Sequence, residues 1–165
     1  MHNKVLVAEP SGFVRSPISD FLRHRGLEAI GVGKVSQALY EIRFYDDFRT
    51  PFRMVIAAVD LPNEGGIELF KELRGMRRRR KYDFSANHSQ TPIILLEPAG
   101  IDYKMGFSDP AGKFYLLRKQ KFADRFPVDE AKLNELLEQY FGNVFKRQRQ
   151  NHSHEDNDYR SAGLW

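Results

Sequence analysis

Short apolar runs alternate with segments of helical periodicity along this chain. Lys4–Ala8 is a leading lysine and four apolar residues closed by Glu9 and Pro10, the form of a parallel strand buried on both faces. Residues 11–25 then carry Phe13, Val14, Pro17, Ile18, Phe21 and Leu22 at spacings that make one apolar helical face. Ser11 is the candidate cap, Pro17 is tolerable only near the first turns, and Gly26 is the expected stop. Residues 27–32 predict a second strand, and Val35, Ala38, Leu39 and Ile42 a second helix broken at Thr50 and Pro51. Residues 53–59 predict a third strand with Asp60 at its carboxyl end. Residues 61–66 read as a loop by composition, and Ile67, Leu69, Phe70, Leu73 and Met76 give the next helix its buried side. Residues 93–96, the most apolar short run, end at Glu97 and Pro98; residues 113–117 predict a fifth strand. Residues 129–145 carry a long stripe of Leu133, Leu136, Leu137, Tyr140, Phe141, Val144 and Phe145.

Three stretches break the alternation. An insertion of about residues 76–91 is polar and basic, longer than the ~2–6 residues usual between elements of an α/β unit. It reads either as a mobile insertion or as a continuation of the helix through its arginines. Residues 99–110 hold two glycines and a proline, so any helix there is short or irregular. Residues 148–165 are polar and read as a flexible tail after a domain over 1–147, with the terminal Leu164 and Trp165 as the exception. Five strands alternating with helices predict a doubly wound α/β fold: a five-stranded parallel sheet with right-handed crossovers. The functional crevice of such a sheet lies at the carboxyl ends of its strands, here Glu9 and Pro10, residues 58–60, Glu97 and Pro98, and Arg118 and Lys119.

Composition narrows the chemistry. The 165 residues are 41% hydrophobic and 29% charged, as in a folded domain. The absence of cysteine excludes disulfides, thiolate metal sites and cysteine nucleophiles. No leader is visible and no run approaches the ~20 apolar residues of a membrane helix, so the expectation is a cytoplasmic chain without membrane insertion. The formal charge is +4 and the pI about 9.3. The excess is uneven: Arg77, Arg78, Arg79, Arg80 and Lys81 form one basic block, and Lys146, Arg147 and Arg149 another. Such a block can bind anions, nucleic-acid phosphate included, although a solvated loop is the commoner outcome; nucleic acid is therefore an alternative partner rather than the leading one. The five histidines are scattered, and His152 and His154 lack the acidic frame of a metal site. No phosphate-binding glycine loop and no nucleophile elbow is present, so no enzyme is expected. Tyr40, Phe44, Tyr45, Phe48 and Phe52 read as core, with any surplus marking a contact patch.

Over residues 4–145 the chain resembles a receiver domain of bacterial two-component systems. Three segments carry the resemblance: Lys-Val-Leu-Val-Ala-Glu at 4–9, Met-Val-Ile-Ala-Ala-Val-Asp-Leu-Pro-Asn-Glu-Gly-Gly at 54–66, and Thr-Pro-Ile-Ile-Leu-Leu at 91–96. It implies a (βα)5 flavodoxin-like fold and a phosphorylation site that has lost its chemistry. The acidic pair that holds Mg²⁺ has become Glu9 and Pro10. Counting back from Pro62 puts the phosphoacceptor position on Ala58, whose methyl group cannot take phosphate. The hydroxyl position holds Glu97 and the lysine position Arg118, followed by Lys119, while Tyr115 matches the aromatic switch. Mg²⁺ binding is therefore expected to be weak or absent, with no other cofactor. Glu97 facing Arg118 or Lys119 suggests a charge-assisted pair that locks one state, or merely a solvated strand end. Asp60 is the alternative acceptor, two residues past the expected site. The resemblance further implies a phosphorylation-independent signalling module that docks a protein partner: a histidine kinase, a phosphotransferase or a scaffold. Phe13, Val14 and Pro17 would meet such a partner, and the fourth helix, fifth strand and fifth helix a second copy.

Overall fold

The computed structural model describes residues 3–62, 65–76, 88–100, 108–121 and 125–142. The chain divides into two compact units, Met1–Glu130 and Ala131–Trp165. The first holds β1 (Lys4–Ala8), α1 (Gly12–Arg23), β2 (Glu28–Val32), α2 (Val35–Asp47), β3 (Met54–Ala58), α3 (Gly65–Leu73), β4 (Ile93–Glu97) and β5 (Phe114–Arg118). The strands form one parallel sheet in the order β2-β1-β3-β4-β5. This is the expected doubly wound flavodoxin-like sheet. The second unit holds residues 131–142 of a helix, in which Leu133, Leu136, Leu137 and Phe141 are buried at helical spacing. The basic block at 77–81, most of the insertion about 76–91, residues 101–107 of the 99–110 segment and the tail 148–165 lie outside the described residues.

The strand order places the helices. The path from β1 to β2 runs one way along the sheet, and those from β2 to β3 and from β3 to β4 run the other way. With right-handed crossovers, α1 covers one face and α2 and α3 the opposite one. Every residue of β1, β3 and β4 is buried, which explains why these segments are unbroken apolar runs rather than alternating ones. The fifth strand carries fewer buried positions, as an edge strand does.

Several local expectations are corrected. Ser11 makes no side-chain cap; its carbonyl accepts from the Val14 and Arg15 amides, and its own amide donates to Glu9 Oε1 at 3.1 Å. Pro17 lies inside α1 rather than in its first turn. The carbonyl it leaves unbonded is that of Phe13, in the open first turn. Phe13 itself is 89% exposed and takes no part in the core that Ile18, Phe21 and Leu22 enter. Of the five aromatics in and after α2 only Phe52, beyond the helix, is fully buried; Tyr40, Phe44 and Phe48 stand exposed and contact one another ring to ring at helical spacing. Gly26, with φ 77°, ends the α1 region as expected.

The amino-terminal edge of the sheet is held by a buried polar network. Arg74, just after α3, donates through Nε to Asp109 Oδ1 at 2.8 Å and through Nη2 to Oδ2 at 3.2 Å, a two-point fork in which both side chains are buried. Its Nη1 donates to the His88 carbonyl at 2.6 Å and its Nη2 also reaches the Lys113 carbonyl at 3.3 Å. His88, fully buried, sets Nε2 2.8 Å from the Asp46 carboxylate and Nδ1 3.1 Å from Thr91 Oγ1. These contacts tie the ends of α2, α3 and the β4 and β5 approaches to one point. Burial alone would push the Asp109 carboxyl up, but hydrogen bonds from Arg74, Ala111 and Lys113 and the guanidinium charge hold it below the usual carboxylate range.

Removing one member of a buried ion pair strands the other charge at a cost of about 3–5 kcal/mol. Arg74→Met should destabilise by that amount in chemical denaturation. Because the folded Asp109 pKa is depressed, its stabilisation is present above the unfolded carboxylate value and is lost as pH falls through the folded value. The stability gap between the wild type and Asp109→Asn should therefore narrow below about pH 4. A gap that is constant with pH would refute the ionised fork.

Candidate functional site

The carboxyl ends of the strands bring together Glu9, Asp60, Glu97, Arg118 and Lys119. Glu9 follows β1 directly; its amide continues the ladder to the Val32 carbonyl. Its side chain is 0% exposed and turns back to accept from the Ser11 amide. Ala58 ends β3 opposite Leu96 and is fully buried. The chain then turns, so Asp60 is not a further strand residue and its carboxylate is 46% exposed. Gly66 permits this turn: a Cβ there would sit 2.2 Å from the Ala58 carbonyl oxygen. The α3 amino terminus can therefore pack against the end of β3 only with glycine at that position.

Of the two adjacent cations expected at the end of β5, Lys119 sends its charge to Glu9 and Asp60, and Arg118 faces Glu97. Residues next to each other on a strand point to opposite faces, so a displacement of one residue decides which side chain enters the crevice. Arg118, 55% exposed, reaches within 4.0 Å of Oε2 of the buried Glu97. Lys119 sends its ammonium inward, 2.8 Å from Glu9 Oε2 and 2.9 Å from Asp60 Oδ1. The Asp60 contact is a directed hydrogen bond. The Glu9 contact is ionic and poorly directed, and Oε2 has no well-aligned donor among the described residues. The Lys119 backbone is fixed as well: its amide donates to the Glu97 carbonyl at 2.8 Å, and it forms a bridge with Val128. Glu97 thus faces Arg118 at 4.0 Å, while the shorter charge-assisted contacts of the crevice join Glu9 and Asp60 to Lys119.

Burial opposes the charge on Lys119, but hydrogen bonding and attraction from Glu9 and Asp60 outweigh it and raise the Lys119 pKa. The two arms differ in strength. Asp60 is half exposed and screened, worth about 1 kcal/mol or less, whereas Glu9 is buried and depends on the ammonium for neutralisation.

Arg15 completes the cluster. Its Nη1 donates to the Glu9 carbonyl at 2.7 Å, and its stem crosses the end of β2, where a Cβ at Gly31 would meet it at 3.1 Å. Gly31, within β2, and Gly33, just after it, make room for that crossing. Of the remaining candidates, Pro10 is exposed, Val14 and Pro17 are half-buried beside the projecting Phe13, and Tyr115 is half-buried on β5 opposite Ile94. No cluster of three or more metal-ligating His, Cys, Asp or Glu side chains occurs among the described residues, and none of their helices is long and apolar enough to cross a membrane.

This architecture is that of response-regulator receiver domains. A sensor protein from Polaromonas sp. JS666 superposes with a TM-score of 0.62 at 16% identity, covering 87% of this chain and 99% of its own. The receiver domain of a sensor histidine kinase from Pseudomonas aeruginosa PAO1, with a magnesium ion coordinated in its active site cleft, gives 0.61 at 20% identity, covering 86% and 99%. A response regulator receiver protein from Pseudomonas putida gives 0.57 at 20% identity, covering 84% and 98%. No protein-family model and no curated protein matches the sequence. At these identities the likeness establishes the fold, and function must be argued from the site.

Lys119→Met should leave Glu9 buried without a counter-charge and lower stability by about 3–5 kcal/mol at neutral pH, whereas Asp60→Ala should cost about 1 kcal/mol or less. The raised lysine pKa means that this stabilisation is complete below about pH 10.5, the ordinary lysine value, and fades as pH rises through the folded value. Urea titrations from pH 7 to 11 should show the Lys119→Met deficit shrinking at the alkaline end.

Proposed function

We propose that this chain is a receiver-like signalling module of a two-component-type pathway that acts by docking a protein partner, without being phosphorylated. The observation that carries the reading is the content of the crevice. Nucleophilic phosphoryl transfer needs an oxygen on the acceptor, and Ala58 offers a methyl group. Of the crevice carboxylates, Glu9 and Asp60 are engaged by the Lys119 ammonium, and Glu97 faces Arg118. The module has no catalytic residue and works in the cytoplasm, with the domain spanning 1–147 and the tail 148–165 outside it.

Docking is supported by the apolar surface that the fold leaves uncovered. Phe13 projects from the first turn of α1 beside Val14 and Pro17, close in sequence to the crevice residues Glu9 and Pro10. A receiver-like domain would present this end to a histidine kinase, a phosphotransferase or a scaffold. Exposed aromatic side chains are disproportionately the anchors of protein interfaces.

Incubation with acetyl phosphate and Mg²⁺ followed by intact-mass measurement should give no adduct of one phosphoryl group. An adduct that disappears in Asp60→Ala would instead make Asp60 the acceptor and overturn the reading. Phe13→Ala should weaken capture of the native partner about tenfold or more while leaving the melting temperature unchanged, as expected of a side chain outside the core.

A further inference from the structure

Receiver clefts of this fold can hold magnesium, as in the P. aeruginosa kinase receiver. Magnesium requires oxygen ligands at about 2.0–2.1 Å in octahedral geometry. This chain does not fit that requirement. Pro10 and Ala58 provide no side-chain oxygen and Glu97 faces Arg118, leaving Glu9 and Asp60, and the space between those two carboxylates is taken by nitrogen. Lys119 Nζ lies 2.8 Å from one and 2.9 Å from the other. An ion bound to the same oxygens would have to occupy the position of the ammonium or sit against its like charge.

We infer that the Lys119 ammonium is a built-in cation that substitutes for the divalent metal and permanently joins the ends of β1, β3 and β5. The inference deepens the docking reading above and rests on it. The lysine is suited to the role by more than its charge. Its backbone is pinned on both sides, to the Glu97 carbonyl and to the bridge with Val128, so its side chain starts from a fixed point. Glu9 is held in the receiving orientation by the Ser11 amide on its other oxygen, and its carbonyl is held by Arg15. The β1 end therefore receives two cationic side chains, one on its carboxylate and one on its backbone. A metal can leave a cleft and return with ionic conditions; a tethered ammonium cannot. The crevice should accordingly be in one state at every Mg²⁺ concentration.

The test compares the full chain with Lys119→Ala and Lys119→Arg by thermal unfolding in MgCl₂ titrations, with Mn²⁺ electron paramagnetic resonance as a direct count of bound ion. The wild type and Lys119→Arg should bind no Mn²⁺ at millimolar concentration and show no Mg²⁺-dependent shift. Lys119→Ala should melt lower and gain a metal site from the freed Glu9 and Asp60, seen as bound Mn²⁺ and a rise of about 3–5 °C at ten times the Kd. Wild-type binding of either ion, or a folded Lys119→Ala that binds neither, would overturn the inference. Should Lys119→Ala not fold at any Mg²⁺ concentration, the wild-type and Lys119→Arg measurements decide it by themselves. Metal binding by the wild type with no phosphoryl adduct would defeat this inference alone, whereas an adduct at Asp60 would defeat the docking reading.

Discussion

A buried carboxylate must be neutralised where it stands, and in this molecule that constraint falls on Glu9. Its side chain is fully enclosed at the point where β1 opens into the crevice. An isolated charge there would cost several kcal/mol. The Lys119 ammonium supplies the counter-charge from the far side of β3 and β4. The sheet order makes this possible, because the carboxyl ends of parallel strands converge on one edge. The contact in turn ties the β5 end to the sheet centre, where β5 itself has fewer buried positions. The same pairing leaves Asp60 half exposed but held, so all that remains acidic at the centre of the crevice is engaged.

The opposite edge of the sheet meets the same difficulty with a different solution. Arg74 and Asp109 are both buried and satisfy each other through two hydrogen bonds, with the surplus guanidinium donors directed to the carbonyls of His88 and Lys113. His88 then bridges Asp46 and Thr91. Each residue of this network comes from a segment end, so it acts as a fastening for loops rather than as part of any crevice. The two edges differ in what they imply: a fork with every guanidinium nitrogen engaged is structural, whereas an ammonium placed between two carboxylates at the carboxyl ends of the strands is the arrangement from which the function is proposed.

The strands were legible because buried parallel strands are written as unbroken apolar runs, and β1, β3 and β4 read that way without help from neighbours. The end of β3 at Ala58 was equally legible, since the apolar run stops just before Asp60 and the loop through Pro62 and Gly66. The crevice charges were not. Arg118 and Lys119 are adjacent cations, and which one enters the site depends on where β5 stops following its pleat, a property of pairing with β4 rather than of local sequence. The pairing of Glu9 with a residue more than a hundred positions away leaves no local signal either. His88 read as one of several scattered histidines because its partners, Asp46 and Thr91, gather around it only in the folded sheet. Phe13 shares the helical spacing of Pro17 and Ile18, and spacing alone does not tell that it stands 89% exposed in the first turn of α1 while Ile18 is buried.

The most direct test of the account is a crystal structure of the full chain grown in excess Mg²⁺ together with a beryllofluoride phosphoryl mimic. The account predicts Lys119 Nζ between Glu9 and Asp60, at the 2.8 and 2.9 Å separations described above, with no metal and no mimic beside Ala58. A magnesium ion ligated by Glu9 and Asp60, with the lysine swung out of the crevice, would contradict it.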